Sequence, residues 1–93
     1  MDVRDAPLWP KGYQQLTVST AAVALTIPSG ARYALLKLDS ANLARWRDDG
    51  TDPTATVGMP MDQADEFWYT GKLASLLFFE DNAGAILNVS YYS

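Results

Sequence analysis

Ala85-Ile86-Leu87-Asn88-Val89-Ser90-Tyr91-Tyr92 alternates without a break, with Ala85, Leu87, Val89 and Tyr91 on one face of an extended chain and Ile86, Asn88, Ser90 and Tyr92 on the other. A period of two is the signature of a strand with one buried face, so this stretch decides for a β-fold. As the last strand before Ser93 it is expected at a sheet edge, where unpaired backbone groups invite another chain. Asp81-Asn82-Ala83-Gly84 supplies the hairpin loop before it, because Asn82 and Gly84 tolerate positive φ.

Working outward, Leu73 to Glu80 reads as a strand in which Leu76 and Phe78 oppose Leu77 and Phe79. Both of its faces are apolar, which suits a central strand or one covered by another chain. Phe67-Trp68-Tyr69 places three aromatics in a row, so either Trp68 or the pair Phe67 and Tyr69 must face away from the core. An outward aromatic marks an interface or a sugar-stacking platform. Helical spacing is hinted at only around Asp62 to Phe67.

Toward the N-terminus the same period recurs. From Tyr13, the residues Gln15, Thr17 and Ser19 share one face while Leu16 and Val18 share the other, and a second short strand follows at Ala22 to Ile27. Pro28-Ser29-Gly30 is a turn, with proline fixing φ and glycine free to take the left-handed region. Arg32 to Leu38 gives a third strand with Ala34, Leu36 and Leu38 inward, Asp39-Ser40-Ala41-Asn42 turns the chain, and Leu43 to Arg47 gives a fourth. Trp46 reads as a core aromatic with its indole N–H satisfied at the margin, and Arg45 and Arg47 as solvent-face cations answering nearby aspartates.

Between them, Asp48 to Pro60 is a long acidic loop punctuated by Gly50, Pro53, Gly58 and Pro60. Asp48, Asp49 and Asp52 raise the question of calcium, but their spacing does not follow the EF-hand pattern and no glutamate occupies the bidentate position. Turn chemistry, with aspartates capping their own backbone, accounts for them better. From Asp48 to Gly71 the chain carries Asp48, Asp49, Asp52, Asp62, Asp65 and Glu66 and no Lys or Arg. Paired carboxylates could serve glycoside hydrolysis, yet so small a domain has little room for a cleft; an acidic rim that matches a basic partner is the better reading.

The whole chain has 93 residues, a formal charge of −4 and neither cysteine nor histidine. That is a single domain whose stability must come from packing or association, without disulfides or thiolate metal sites. The commonest metal ligand and general base are also missing, so neither an enzyme nor a cofactor is expected. Scattered cations on an acidic protein argue against gripping nucleic-acid phosphate directly. Met1-Asp2-Val3-Arg4-Asp5 is acidic where a signal peptide needs a basic flank, and no apolar run approaches membrane-spanning length. A soluble protein synthesised in the cytoplasm is expected, with no membrane partner.

Residues 1–12, with Pro7 and Pro10 around Leu8 and Trp9, read as an extended N-terminal arm. Residues 13–93 read as a single all-β domain, an antiparallel β-sandwich or jelly-roll-like barrel of about seven or eight short strands.

Several of these segments together resemble small β-sandwich virion proteins of tailed bacteriophages: Leu16-Thr17-Val18-Ser19, Leu25 to Ala34 with its Pro28-Ser29-Gly30-Ala31 turn, Arg45-Trp46-Arg47-Asp48-Asp49-Gly50, Pro53-Thr54, Val57-Gly58-Met59-Pro60 and Leu87 to Tyr92. These motifs are turns and core strands; the arm and the aromatic triplet lie outside them. The resemblance implies a capsid decoration or cement protein on the virion surface, partnered by the major capsid protein or another virion protein, commonly as a homo-oligomeric dimer or trimer. A neck, tail or head-fibre component is the neighbouring expectation. A carbohydrate- or receptor-binding module, with Trp68, Tyr69 and Trp46 stacking on sugar rings, is the expectation from a different class. Excess aromatic surface points to Leu8, Trp9, Phe67, Trp68 and Tyr92 as partner-interface residues.

Overall fold

The computed structural model describes residues 8–39, 43–80 and 84–93. Among these, eight strands form: β1 (Pro10–Val18), β2 (Val23–Ala24), β3 (Tyr33–Leu38), β4 (Ala44–Arg47), β5 (Met59–Met61), β6 (Glu66–Tyr69), β7 (Leu77–Glu80) and β8 (Ala85–Tyr92). They make two four-stranded sheets, ordered β1-β8-β3-β6 and β2-β7-β4-β5. All neighbouring pairs are antiparallel.

The order has a simple logic. β4 pairs with β5, β3 with β6, β2 with β7 and β1 with β8, so the chain is one long antiparallel ribbon rolled until its halves face each other. That is the jelly-roll form of the β-sandwich. Alternation in each strand supplies the two inner faces: Leu16 and Val18, Ala34, Leu36 and Leu38, and Ala85, Leu87, Val89 and Tyr91 from the first sheet, and Ala44, Met61 and Phe78 from the second, are buried in one cluster.

The structure departs from the sequence reading in five places. β8 is not an edge strand; it lies between β1 and β3, because the rolled ribbon brings the two ends of the chain together inside one sheet. Leu73–Ser75 is a turn of 3-10 helix, so the strand there starts only at Leu77. Leu73 and Leu76 are both buried three residues apart, a spacing that a helical turn satisfies and a strand does not. Strand pairing begins at Pro10, opposite Tyr92, and a register irregularity between Pro10 and Gly12 precedes the regular ladder. β2 keeps only Val23 and Ala24 of the longer run expected there. Around Asp62 the chain makes a tight turn, not a helix: Asp65 donates its N–H to the Asp62 carbonyl, its carboxylate accepts from Asp62 N at 2.8 Å, and Ala64 takes φ +67°. Residues 1–7 of the expected arm, Ser40-Ala41-Asn42 and Asp81-Asn82-Ala83 lie outside the described residues.

Candidate binding face and end groove

The outer face of the first sheet follows from register. Alternation sends Tyr13 and Gln15 of β1, Asn88, Ser90 and Tyr92 of β8, Tyr33, Leu35 and Lys37 of β3, and Glu66 and Trp68 of β6 away from the core. Cross-strand pairing aligns them in rows: Tyr13, Ser90, Leu35 and Trp68 form one, Gln15, Asn88, Lys37 and Glu66 the next, and Pro10, Tyr92 and Tyr33 a third. Trp68 and Tyr92 lie diagonally, with ring centroids 5.4 Å apart and planes tilted by 50°, a favourable aromatic pairing. Polar side chains are fixed between the rings. Asn88 Oδ1 accepts from Tyr13 Oη at 2.5 Å and from Gln15 Nε2 at 3.2 Å, and Ser90 Oγ donates to Tyr92 Oη at 3.0 Å. Tyr13 stays 62% exposed. The face therefore sets aromatic rings among polar side chains whose hydrogen bonds are already made.

Phe67 and Tyr69 turn the other way. Phe67 stacks on Trp46 at 5.2 Å, and Tyr69 meets Trp46 edge-on at 6.3 Å, so these rings close the space between the edge strands β5 and β6. Tyr69 Oη donates to Asp48 Oδ2 at 2.8 Å; burial, helped by this carboxylate, pushes the Tyr69 pKa up to about 12. Gly71 makes this approach possible, since a Cβ there would lie 2.6 Å from Tyr69 Oη. On the far side of β1, Tyr91 Oη donates to Gln14 Oε1 at 2.8 Å, and burial raises its pKa to about 12.

The loop from Asp48 to Gly58 is held by the arginines of β4. Arg45 donates from Nε to the Ala55 carbonyl at 3.2 Å and from its guanidinium to the Gly58 carbonyl at 3.0 Å. Arg47 pairs in a fork with Asp49, which draws that carboxyl below the usual carboxylate range. Only Arg47 answers an aspartate, whereas the sequence suggested both arginines would. Gly50 takes φ +85° and Asp49 accepts from Thr51 N, the expected turn chemistry. A groove of about 500 Å³ runs between Trp46, Arg47, Asp48, Asp49, Gly58 and Met59. Asp49, held low by Arg47, suits a structural ion pair and not a proton donor.

Of the five residues read as interface, the structure brings Trp68 and Tyr92 together on the outer face. Trp9 lies next to them in the chain pairing, exchanging backbone hydrogen bonds with Ser93 at 2.9 and 3.0 Å, and its side chain is 65% exposed. Leu8, just before it, is half-buried. Phe67 belongs to the inner aromatic cluster instead. Trp46, Tyr69 and Trp68, which a single sugar-stacking platform would use, do not share a surface. The sequence reading set Asn88 on one side with Tyr92 and Leu35 toward the rim and solvent, but singled out neither them nor Tyr13 as interface residues. Their signal was present: each sits in phase with an outward residue of its own strand.

Fold and surface together define a small jelly-roll β-sandwich with one aromatic, hydrogen-bonding outer face. Comparison with protein-family models, curated proteins and solved structures finds no match.

Proposed function

We propose that this chain is a non-enzymatic structural virion protein of a tailed bacteriophage, a capsid decoration or cement protein that docks the outer face of its first sheet on the head lattice. One observation carries the reading: Trp68 and Tyr92, both half-buried, form a tilted pair on the outer face of the first sheet, ringed by Tyr13, Gln15, Asn88 and Ser90 with their hydrogen bonds already set. Binding energy concentrates in such aromatic anchors surrounded by polar groups. Prior fixing of their orientation lowers the ordering cost of association. The major capsid protein is the proposed partner, with dimers or trimers of this chain on the lattice.

The test is co-sedimentation of the purified protein with mature heads that lack it, counting bound copies per capsid subunit. A fixed saturating ratio that Trp68→Ala abolishes, in a variant that still unfolds near the wild-type midpoint, is the expected result. A handful of copies per particle would move the protein to the neck, tail or a head fibre. No binding at all would overturn the decoration reading and leave the neck, the tail or a glycan ligand.

A further inference from the structure

At the end of the sandwich where β3 begins and β6 finishes, a second groove of about 420 Å³ opens between the segment leading into β3 and the segment after β6. Its lining is Ile27, Ala31, Arg32 and Tyr33 on one side and Thr70, Gly71, Lys72, Leu73 and Ala74 on the other, with no acidic residue among them. In a protein of net charge −4 with seven Lys and Arg in all, that is an unusual place. Among the described residues neither the Arg32 nor the Lys72 side chain is engaged in an ion pair, whereas Arg47 pairs with Asp49 and Arg45 is bonded to two loop carbonyls. A third cation is close by, since Lys11 Nζ lies 3.8 Å from where a Cβ on Gly30 would sit, one residue before Ala31. Against Gly71 in the lining, the Tyr69 hydroxyl is turned to Asp48, donating to its Oδ2 at 2.8 Å.

We propose that this groove binds a sugar acid, its carboxylate between Arg32 and Lys72 and its ring against Ile27, Ala31 and Leu73. The composition selects the ligand. A planar carboxylate suits a guanidinium fork, with Lys72 adding a point charge. An inorganic anion would satisfy the cations but leave the apolar wall in water, and a neutral sugar would leave both cations unanswered. A uronic or sialic acid uses both parts, and Thr70 and Tyr33, also in the lining, offer hydroxyls for its remaining oxygens. The site is separate from the Trp68 and Tyr92 pair, touching the outer face only at Tyr33, so it stands or falls independently of docking to a capsid.

The experiment follows backbone amide resonances of the full chain during titration with sodium D-glucuronate, in parallel with D-glucose, sodium sulfate and an acidic tripeptide at matched ionic strength. Saturable shifts confined to Ala31, Arg32, Tyr33 and Thr70 to Ala74 are expected with glucuronate, at a Kd on the order of 1 mM. Arg32→Ala and Lys72→Ala, both at exposed positions, should each weaken binding about tenfold, as expected for a lost charge-assisted contact. Equal shifts with glucose or sulfate, stronger ones with the peptide, none with glucuronate, or glucuronate binding indifferent to both substitutions would each overturn the assignment.

Discussion

The two sheets are alike inside and unlike outside. On the second sheet the outward Leu77 and Phe79 stand in register with Arg47 and Arg45, whose guanidinium groups reach on to Asp49 and to the loop carbonyls of Ala55 and Gly58. Long arginine stems shield apolar neighbours while their heads stay in water. The chain thus closes that face with its own residues. On the first sheet the outward Leu35, Trp68 and Tyr92 have tyrosine, serine and asparagine beside them in place of the loop-bound arginines. A face finished by its own chain contributes to stability; a face left as an ordered aromatic surface is available to something else.

That contrast can be broken most sharply in β7, where neighbouring phenylalanines point to opposite sides. Phe78→Ala, on the inner face, should cost about 3–5 kcal/mol in urea unfolding, whereas Phe79→Ala should cost clearly less. Equal losses would mean that the second outer face is as buried as the core. Next in size, Arg45→Ala removes two charge-assisted bonds to the Asp48 to Gly58 loop and should cost about 1.5–3 kcal/mol, with faster proteolysis of that loop. A variant as stable as wild type would show that the loop does not close this face.

A smaller effect separates the tyrosines. Tyr69 and Tyr91 have their pKa values raised to about 12 from the ordinary 10.0, so folding disfavours their ionised forms. Their contribution is fully present below pH 10, and stability should fall as the pH rises from about 10 to about 12, because the unfolded chain releases these protons first. Thermal melts across that window should show the fall, and Tyr69→Phe should flatten part of it; an unchanged profile in the variant would remove Tyr69 from the account. Smallest of all, Trp68→Ala should change stability by no more than about 1 kcal/mol, within the range of substitutions outside the core. A loss above about 2 kcal/mol would make Trp68 part of the domain's own packing and close the proposed docking face.

Much of this was legible in the sequence, and the failures are local. β3 and β8 could be read residue by residue because one face is wholly apolar and period two leaves no alternative register. The triplet Phe67-Trp68-Tyr69 left two options open, which the stacking of Phe67 on Trp46 resolves. Sheet order was not legible. Alternation says which side of a strand is buried, not which strand lies beside it, so the last strand was expected at an edge and lies in the middle. Leu73 to Leu76 was misread because four residues can fit two periods, and the buried pair at a spacing of three decides for the helical turn. The outer face was half legible: alternation alone puts Asn88 and Ser90 with Tyr92, but the company of Tyr13, Leu35 and Trp68 depends on cross-strand neighbours that only the register supplies.

The rolled ribbon also sets a timetable for making the protein. Only β4 and β5 can pair while the middle of the chain is being synthesised, and Tyr13 must wait for Asn88, 75 residues later, before its hydroxyl has an acceptor. Non-local pairings of this kind are formed late and slowly, because the loop must be closed before the contacts repay it. Until β8 arrives, β1 and β3 are strands with a vacancy between them, exposed to pairing with other nascent chains. Removal of the last few residues would therefore take away the middle of a sheet, and newly made chains shortened there should accumulate as aggregates.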